Sequence, residues 1–376
     1  MMMKSTPVQD PRKILIIRLS AIGDVVRTLP ALRALRTKLP EAFIGWAVED
    51  SSADLLTGHP DLDRVFVFKR SEWKKNRRPS GLLAPVLQVA SVVRAIRQER
   101  FDLVLDFHGI LKSGLVSLLS GVPFRAGLSR PYVKEGNHLF NNYHVDVGSA
   151  SISRIERNVR FIRFLGIDEA VRYDPVIPVT EADRIEIDRF LKEQGLAGGE
   201  PLIVIHPGTS RKTLYKRWDP ASYAVLADRL IEELKAHIVW TWGPGELETV
   251  QSIVGRMGHA SVVAGRVSLT RLAELFRRAS LFVGSDSGPM HLSCFVHTPA
   301  VVLYGPTDPV VNAPYQHSRF IMLRKDVSCN PCRKRDCSRS DCMAAITCDE
   351  VYNAAVALVR DGSRQTAEAG GRQVMS

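Results

Sequence analysis

Short apolar runs rich in Ile, Val and Leu recur along this chain, and the stretches between them carry apolar residues at helical spacing. Such alternation builds a parallel sheet covered by helices on both faces. The first run, KILIIR at 13–18, ends in Leu19-Ser20-Ala21-Ile22-Gly23-Asp24, after which Val25, Leu29, Leu32, Leu35 and Leu39 repeat with a helical period. The segment therefore reads strand, turn, helix. Strand-like runs follow at 43–48, 64–68 and 103–106, with helical stretches near 86–97, 112–119 and 155–165.

Between 173 and 180 the pattern breaks at Pro175 and Pro178, and a second series opens with strand-like runs at 202–205, 237–242, 281–283 and 300–303. Helical stretches near 221–234, 246–257, 269–278 and 289–295 alternate with them. The second half thus repeats the architecture of the first without any short-period repeat, which predicts two α/β domains and not a solenoid. A chain of 376 residues is long enough for two cores. The expected divisions are domains at 11–176 and 177–348, a last helix at 349–361 and a disordered tail at 362–376.

No run approaches the roughly 18 uninterrupted apolar residues of a membrane-crossing helix, and the first ten residues hold no apolar core that would mark a signal peptide. The expected location is the cytoplasm. The excess of 51 Lys+Arg over 40 Asp+Glu, +11 in all, favours an anionic partner: nucleic acid, an acidic membrane surface or a phosphorylated substrate. Charge alone does not choose among these, and a basic surface is often only a solvated one.

In open parallel sheets, ligands bind beyond the carboxyl ends of the strands, so motifs at those ends carry the functional expectations. Asp24 follows the first strand, where a carboxylate either caps the new helix or faces a substrate as general base. His206-Pro207-Gly208-Thr209-Ser210, with Lys212, Lys216 and Arg217 beyond it, offers the N–H and O–H donors and the positive charge that suit a diphosphate, or is a plain surface loop. Gly243-Pro244-Gly245-Glu246 puts an acid where ribose hydroxyls could donate to it, or where it favours a helix start. The fourth motif, Gly284-Ser285-Asp286-Ser287-Gly288-Pro289-Met290-His291-Leu292, joins a strand to a helix with small residues that let a phosphate approach backbone N–H groups.

Together, IIRLSAIGDVVRTLPALRALR, DFHGILKS, HPGTSRKTLYKRW and FVGSDSGPMHLSC stand in the order and spacing of glycosyltransferase family 9, the lipopolysaccharide heptosyltransferases, which this chain resembles from about residue 13 to residue 360. The resemblance implies a GT-B fold, two Rossmann-like domains whose parallel sheets face each other across a cleft. It implies that a heptose moves from ADP-heptose to the lipopolysaccharide inner core by a single inverting displacement, with Asp24 as general base and no catalytic metal. The donor would be held by Thr209, Ser210, Lys216, Glu246, Asp286, Ser287, Gly288 and His291, and the anionic acceptor by Ser20, Gly23, Lys112, Ser113 and Arg125. His108 stands where relatives often have Gln. The triplet Asp61-Leu62-Asp63 precedes its strand and reads as a turn rather than a metal site.

Two further features are separate from these motifs. Lys69, Arg70, Lys74, Lys75, Arg77 and Arg78 surround Trp73 after the third strand, either meeting lipid phosphates at the inner membrane surface or forming a solvated loop. Cys329, Cys332, Cys337 and Cys342 either hold a structural zinc or remain unligated or redox-labile thiols in a reducing compartment, while Cys294 and Cys348 read as packing residues. The protein is expected to act as a monomer without nucleic acid, since its basic residues are dispersed and no aromatic-interleaved RNA motif is present. Other chemistries open to the same architecture are transfer of another sugar to a lipid-linked glycan, or nucleotide-sugar epimerisation, which needs no acceptor.

Overall fold

The run 13–17 is a strand buried on both faces: Ile14, Leu15, Ile16 and Ile17 expose no surface, as expected of the middle of a covered parallel sheet. In the computed structural model, which describes residues 10–75, 83–148, 151–168, 170–332, 337 and 340–371, the chain divides into two compact units between Pro178 and Val179. No helix among the described residues is long and apolar enough to cross a membrane.

The first unit contains strands β1 (Lys13–Ile17), β2 (Phe43–Glu49), β3 (Arg64–Phe68), β4 (Leu103–Asp106), β5 (Phe124–Leu128) and β6 (Tyr143–Val145). They lie in the order β3-β2-β1-β4-β5-β6, every neighbour parallel. Helices α1 (Ile22–Val26), α2 (Leu29–Lys38), α3 (Arg70–Lys75), α4 (Leu83–Glu99), α5 (Leu111–Leu119) and α6 (Arg154–Phe161) connect and cover them. The apolar period seen in the sequence buries Leu29, Leu32 and Leu35 of α2, and Ile96 of α4 joins Leu15, Ile17, Phe66 and Phe101 in one core.

The second unit opens on α7 (Glu181–Glu193), whose first turn is fixed by Thr180: its hydroxyl accepts from the Asp183 N–H at 3.1 Å. Strands β7 (Leu202–His206), β8 (His237–Trp240), β9 (Val262–Val263), β10 (Leu281–Ser285), β11 (Ala300–Tyr304) and β12 (Phe320–Arg324) are again all parallel, in the order β12-β11-β10-β7-β8-β9. Helices α8 (Pro220–Leu234), α9 (Leu247–Val254), α10 (Leu269–Arg278), α11 (Gly288–Phe295), α12 (Asp341–Ala344) and α13 (Cys348–Gly371) complete it. Ile203, Trp240, Val283 and Leu303 of the sheet pack with Tyr223 and Val351 in its core.

The expected end of the last helix at 361 is corrected. The helix α13 runs on to Gly371, and only 372–376 of the expected tail lie outside the described residues. No proline interrupts 362–371, and the one glycine before the final pair at 370–371, Gly362, costs a helix about 1 kcal/mol, too little to end one already anchored by its packed first half.

Each sheet reverses its strand order beside its first strand, between β1 and β4 in the first unit and between β7 and β10 in the second. At such a switch point the flanking connections leave on opposite faces and open a crevice beyond the strand ends. All the motifs singled out at strand ends after β1, β4, β7 and β10 border these two crevices.

Candidate functional site

At the first crevice the carboxylate of Asp24 is the centre of a guanidinium cluster. Asp24 is the third residue of α1, yet it caps nothing: the residue at the cap position is Ala21, without a side-chain bond. Its oxygens instead accept from Arg18 at 2.7 Å, Arg27 at 2.6 Å and Arg154 at 2.8 Å. Arg18 is fixed from behind, with the Phe107 carbonyl accepting from Nη1 at 2.5 Å, and Arg27 by donation to the Gly23 carbonyl at 3.0 Å. Burial opposes the charge on Asp24, but the three cations outweigh it and hold its carboxyl well below the usual aspartate range. The sequence reading missed Arg18, Arg27 and Arg154; the spacing of Asp24 and Arg27 on one helical turn was the one signal available.

A second ion cluster lies at the same edge. Glu49, which ends β2, accepts from Arg70 at 2.9 Å and from Lys112, whose ammonium also donates to Ser20 Oγ at 3.2 Å. Two of the expected acceptor residues, Ser20 and Lys112, are thus brought together, and burial lowers the lysine's pKa. Gly23 is buried beside Asp24. Beyond β4, His108 Nδ1 accepts the Leu19 N–H at 3.3 Å, which assigns its proton to Nε2. Burial and the nearby Arg18 and Lys112 push its pKa down to about 3, so the ring is neutral.

Ser113 and Arg125 are placed elsewhere than expected. Ser113 is fully buried and donates to Asp106 Oδ2 at 3.0 Å, within a network that also takes Asn137 and Asn141 onto the same carboxylate. Arg125 lies near the amino end of β5, and its guanidinium donates to the carbonyls of Phe140 at 2.9 Å and Val122 at 2.7 Å. Both hold the frame of the unit, because the first faces inward from α5 and the second starts from the wrong end of its strand.

At the second crevice Lys216 and Asp286, one beyond β7 and the other beyond β10, meet at 2.7 Å, and His291 of α11 stands 3.6 Å from the same carboxylate. Ser287 occupies the cap position of α11 without capping it, and Gly288 is its first residue. Thr209 is buried, its hydroxyl donating to the Thr213 carbonyl at 2.8 Å, whereas Ser210 is exposed and pairs with the Thr213 hydroxyl at 3.0 Å. Glu246 is turned inward: Oε2 accepts the Gly243 N–H at 2.7 Å, and Arg217 and His206 stand 3.5 Å and 3.6 Å from its carboxylate. A Cβ on Gly208 would come within 2.0 Å of that carboxylate, so the glycine in HPG is what admits it.

His206 is fully enclosed, and burial with Arg217 nearby pushes its pKa down to about 4. An unfolded histidine takes its proton near 6.5, so this stability is complete above that pH and is lost as pH falls toward 4. The loss expected over this window is about 3 kcal/mol. Urea midpoints followed by tryptophan fluorescence should fall between pH 7 and pH 4.5, and His206→Gln should flatten the decline. An equal decline in both proteins assigns the acid sensitivity to another group.

Cys329, Cys332, Cys337 and Cys342 all line one small pocket, with Tyr215 and Pro306 on its other walls. All six cysteines are free thiols, and among the described residues no three His, Cys, Asp or Glu side chains form a metal-ligand set. Cys294 is buried in α11 and Cys348 half-buried at the start of α13. Of the basic segment, Arg70 is spent on Glu49 and Lys69 lies 3.4 Å from Glu72, Trp73, Lys74 and Lys75 close α3, and Arg77 and Arg78 lie outside the described residues. Asp61 and Asp63, before β3, accept from Arg33 at 2.8 Å and Arg36 at 2.7 Å.

The geometry agrees with what known proteins resemble this chain. A family model described as glycosyltransferase family 9 (heptosyltransferase) matches residues 89–343. The chain is 28% identical over 333 residues to lipopolysaccharide heptosyltransferase 1 of Pseudomonas aeruginosa, covering 87% of each protein. Its fold is similar to that of the glycosyl transferase family 9 protein of Veillonella parvula, with a TM-score of 0.77 and 23% identity over 95% of this chain and 100% of that one. The ADP-heptose LPS heptosyltransferase II of Escherichia coli is similar at a TM-score of 0.72 and 22% identity, covering 93% and 99%. Two six-stranded parallel sheets in the GT-B manner, motifs at both switch points and a family match over most of the length agree: the chain belongs to glycosyltransferase family 9, the heptosyltransferases.

Proposed function

We propose that this protein transfers a heptose from ADP-heptose to the inner core of lipopolysaccharide, with inversion at the anomeric carbon. What carries the reading lies in each unit separately: a carboxylate at the switch point of the first, Asp24, and a lysine with a small-residue helix start at that of the second, Lys216 and Gly288. The acceptor oxygen attacks the anomeric carbon as its proton passes to an oxygen of Asp24. The bond from that carbon to the diphosphate breaks, and ADP leaves with the electron pair. Lys216 offsets the charge gathering on the departing diphosphate, with Ser210, Ser287 and Gly288 as further donors, so that no step calls for a metal. On this reading Thr209 acts through the loop it braces, and Asp286 and His291 set the position of Lys216. Glu246 turns to the ribose when the donor binds.

The acceptor is lipid-linked, and we infer that a monomer works at the cytoplasmic face of the inner membrane. An exposed apolar stripe on α5 supports this: Leu111, Leu115, Leu118 and Leu119 lie on one side of the helix, each 40–45% exposed. Exposed Arg130 and Lys134 belong to the segment just before the turn against which α5 packs. Apolar contact rimmed by cations suits an anionic lipid surface. Incubation with ADP-heptose and a set of truncated lipopolysaccharide acceptors, read by mass spectrometry, should add one heptosyl residue to at least one acceptor. No product with any acceptor, but transfer from another nucleotide sugar, would keep the mechanism and replace the sugar. Conversion of the donor without acceptor would make it an epimerase.

A further inference from the structure

The cluster around Asp24 contains more cations than one carboxylate can satisfy. Besides Arg18, Arg27 and Arg154, the guanidinium of Arg157 stands one helical turn beyond Arg154 on α6, and burial, with Arg154, Arg18 and Arg27 nearby and Asp24 opposing them, lowers its pKa to about 10. Among the described residues no carboxylate pairs with Arg157; its guanidinium lies over the Tyr132 ring at 5.5 Å. The Nε–H groups of Arg18, Arg154 and Arg157 are buried and have no acceptor. Buried donors left unmet beside a surplus of positive charge call for an acceptor atom that arrives from outside.

The three partners of Asp24 are not equivalent. Arg18 and Arg27 have side chains 7% exposed and are fixed by backbone carbonyls, whereas Arg154 is 26% exposed and comes from a different part of the chain. An anion reaching the cluster from solvent therefore meets Arg154 and Arg157 first. While Arg154 stays on Asp24, the carboxylate is a weak base, held down by three cations. The remaining group facing it, His108 beyond β4, is neutral and neither helps nor opposes.

We propose that Arg154 and Arg157 form a seat for an oxyanion carried by the acceptor, a carboxylate or phosphate near the attacking hydroxyl, and that filling the seat draws Arg154 away from Asp24. The acceptor thereby strengthens the base that will deprotonate it. This rests on Asp24 being the base, and the test below separates the two ideas. In the resting enzyme the surplus guanidinium protects against wasteful chemistry: a weak base does little to activate water for attack on the donor.

The test uses Arg154→Met, Arg154→Lys and Arg157→Met in the full chain, with melting curves to confirm folding. Arg157→Met should raise the acceptor KM about tenfold to hundredfold, the worth of a charged hydrogen bond, with kcat nearly unchanged. In the wild type the acidic limb of kcat, which reports the acceptor-bound enzyme, should lie at higher pH than that of kcat/KM, which reports the free enzyme. Arg154→Met should bring the two limbs together, and Arg154→Lys should separate them again. An acceptor whose acidic sugar is reduced to the alcohol should lose the effect of Arg157→Met if the oxyanion is a carboxylate and keep it if it is a phosphate. Coincident limbs in the wild type overturn the release of Asp24, and an acceptor KM unmoved in both methionine variants overturns the seat. Full turnover of Asp24→Asn, by contrast, removes the base assignment while leaving the KM test of the seat intact.

Discussion

Replacing Asp24 by Asn is expected to lower turnover by about 10²–10⁴-fold, the range a positioned general base contributes, while ADP still binds the second unit with its original affinity. The substitution keeps the shape of the side chain and removes the charge, so it leaves Arg18, Arg27 and Arg154 around a neutral amide. Stripping one partner from a buried ion cluster costs about 3 kcal/mol or more, and the variant should unfold at lower urea. The sign of its pH dependence follows from the lowered pKa of Asp24. The folded carboxylate holds its charge below the pH at which an unfolded one, near 3.8, takes up a proton. Its contribution is therefore complete above that pH and vanishes as pH falls through the folded value. The gap in stability between wild type and variant should be full at pH 7 and close below pH 4. Calorimetry with ADP and a chromatographic assay of released ADP read the two halves of the expectation, and wild-type turnover in the variant would end the assignment.

Lys216→Ala is expected to cost the donor side as much. The variant loses the cation proposed to meet the diphosphate and removes the lysine's charge from Asp286, 5% exposed, beside the proposed site of a negative ligand. ADP affinity should fall about tenfold to hundredfold, the equivalent of one charged hydrogen bond. The value of kcat/KM should fall further, about 10²–10³-fold relative to wild type, because charge on the leaving diphosphate is greatest in the transition state. Lys216→Ala combined with Asp286→Asn should bind ADP better than Lys216→Ala alone, since the repulsion is gone. If the single and double variants bind equally, the charge of Asp286 adds nothing and the whole loss belongs to the missing ammonium.

Much of the fold was legible because its central strands are buried on both faces. Continuous runs such as KILII in β1 and LIVI in β7 cannot be solvated, and their spacing by helical stretches leaves a parallel sheet as the arrangement. The strands that escaped reading are the outer or short ones. Strand β5 carries Arg125 and Gly127 and β9 has two residues, so neither makes a clean apolar run, while the apolar run of β12, 320–323, is half-buried at the sheet's edge. Helix α7 escaped as well, for its charges mask the period of Ile187 and Leu191.

The site was legible only as far as local sequence carries chemistry. Asp24, Lys216 and Asp286 stand at strand ends where their position alone suggests a ligand. The cap reading of Asp24 fails because the neighbouring Arg18 and Arg27 compete for the same oxygens, a contest that helix statistics do not contain. Arg154 and Arg157 could not be found this way. They lie about 130 residues along the chain from Asp24, on a helix whose own pattern reads as surface. Ser113 shows the reverse error: a serine after a strand looks like a ligand contact, but its hydroxyl is one of the donors that keep Asp106 satisfied inside the unit.

The strand order has a consequence for how the protein is made. In each unit the crevice lies between the first strand and the fourth, so Ile14 must wait for Leu103, and Ile203 for Leu281, before the central pair of the sheet exists. A ribosome therefore releases β1 and β7 long before either has its inner neighbour, with their apolar faces uncovered. The corner proposed to hold substrate is closed by the most distant strand pairing in its half of the molecule. A chain stopped short of β4 or of β10 has helices and the strands already made in that unit, but not the crevice between them.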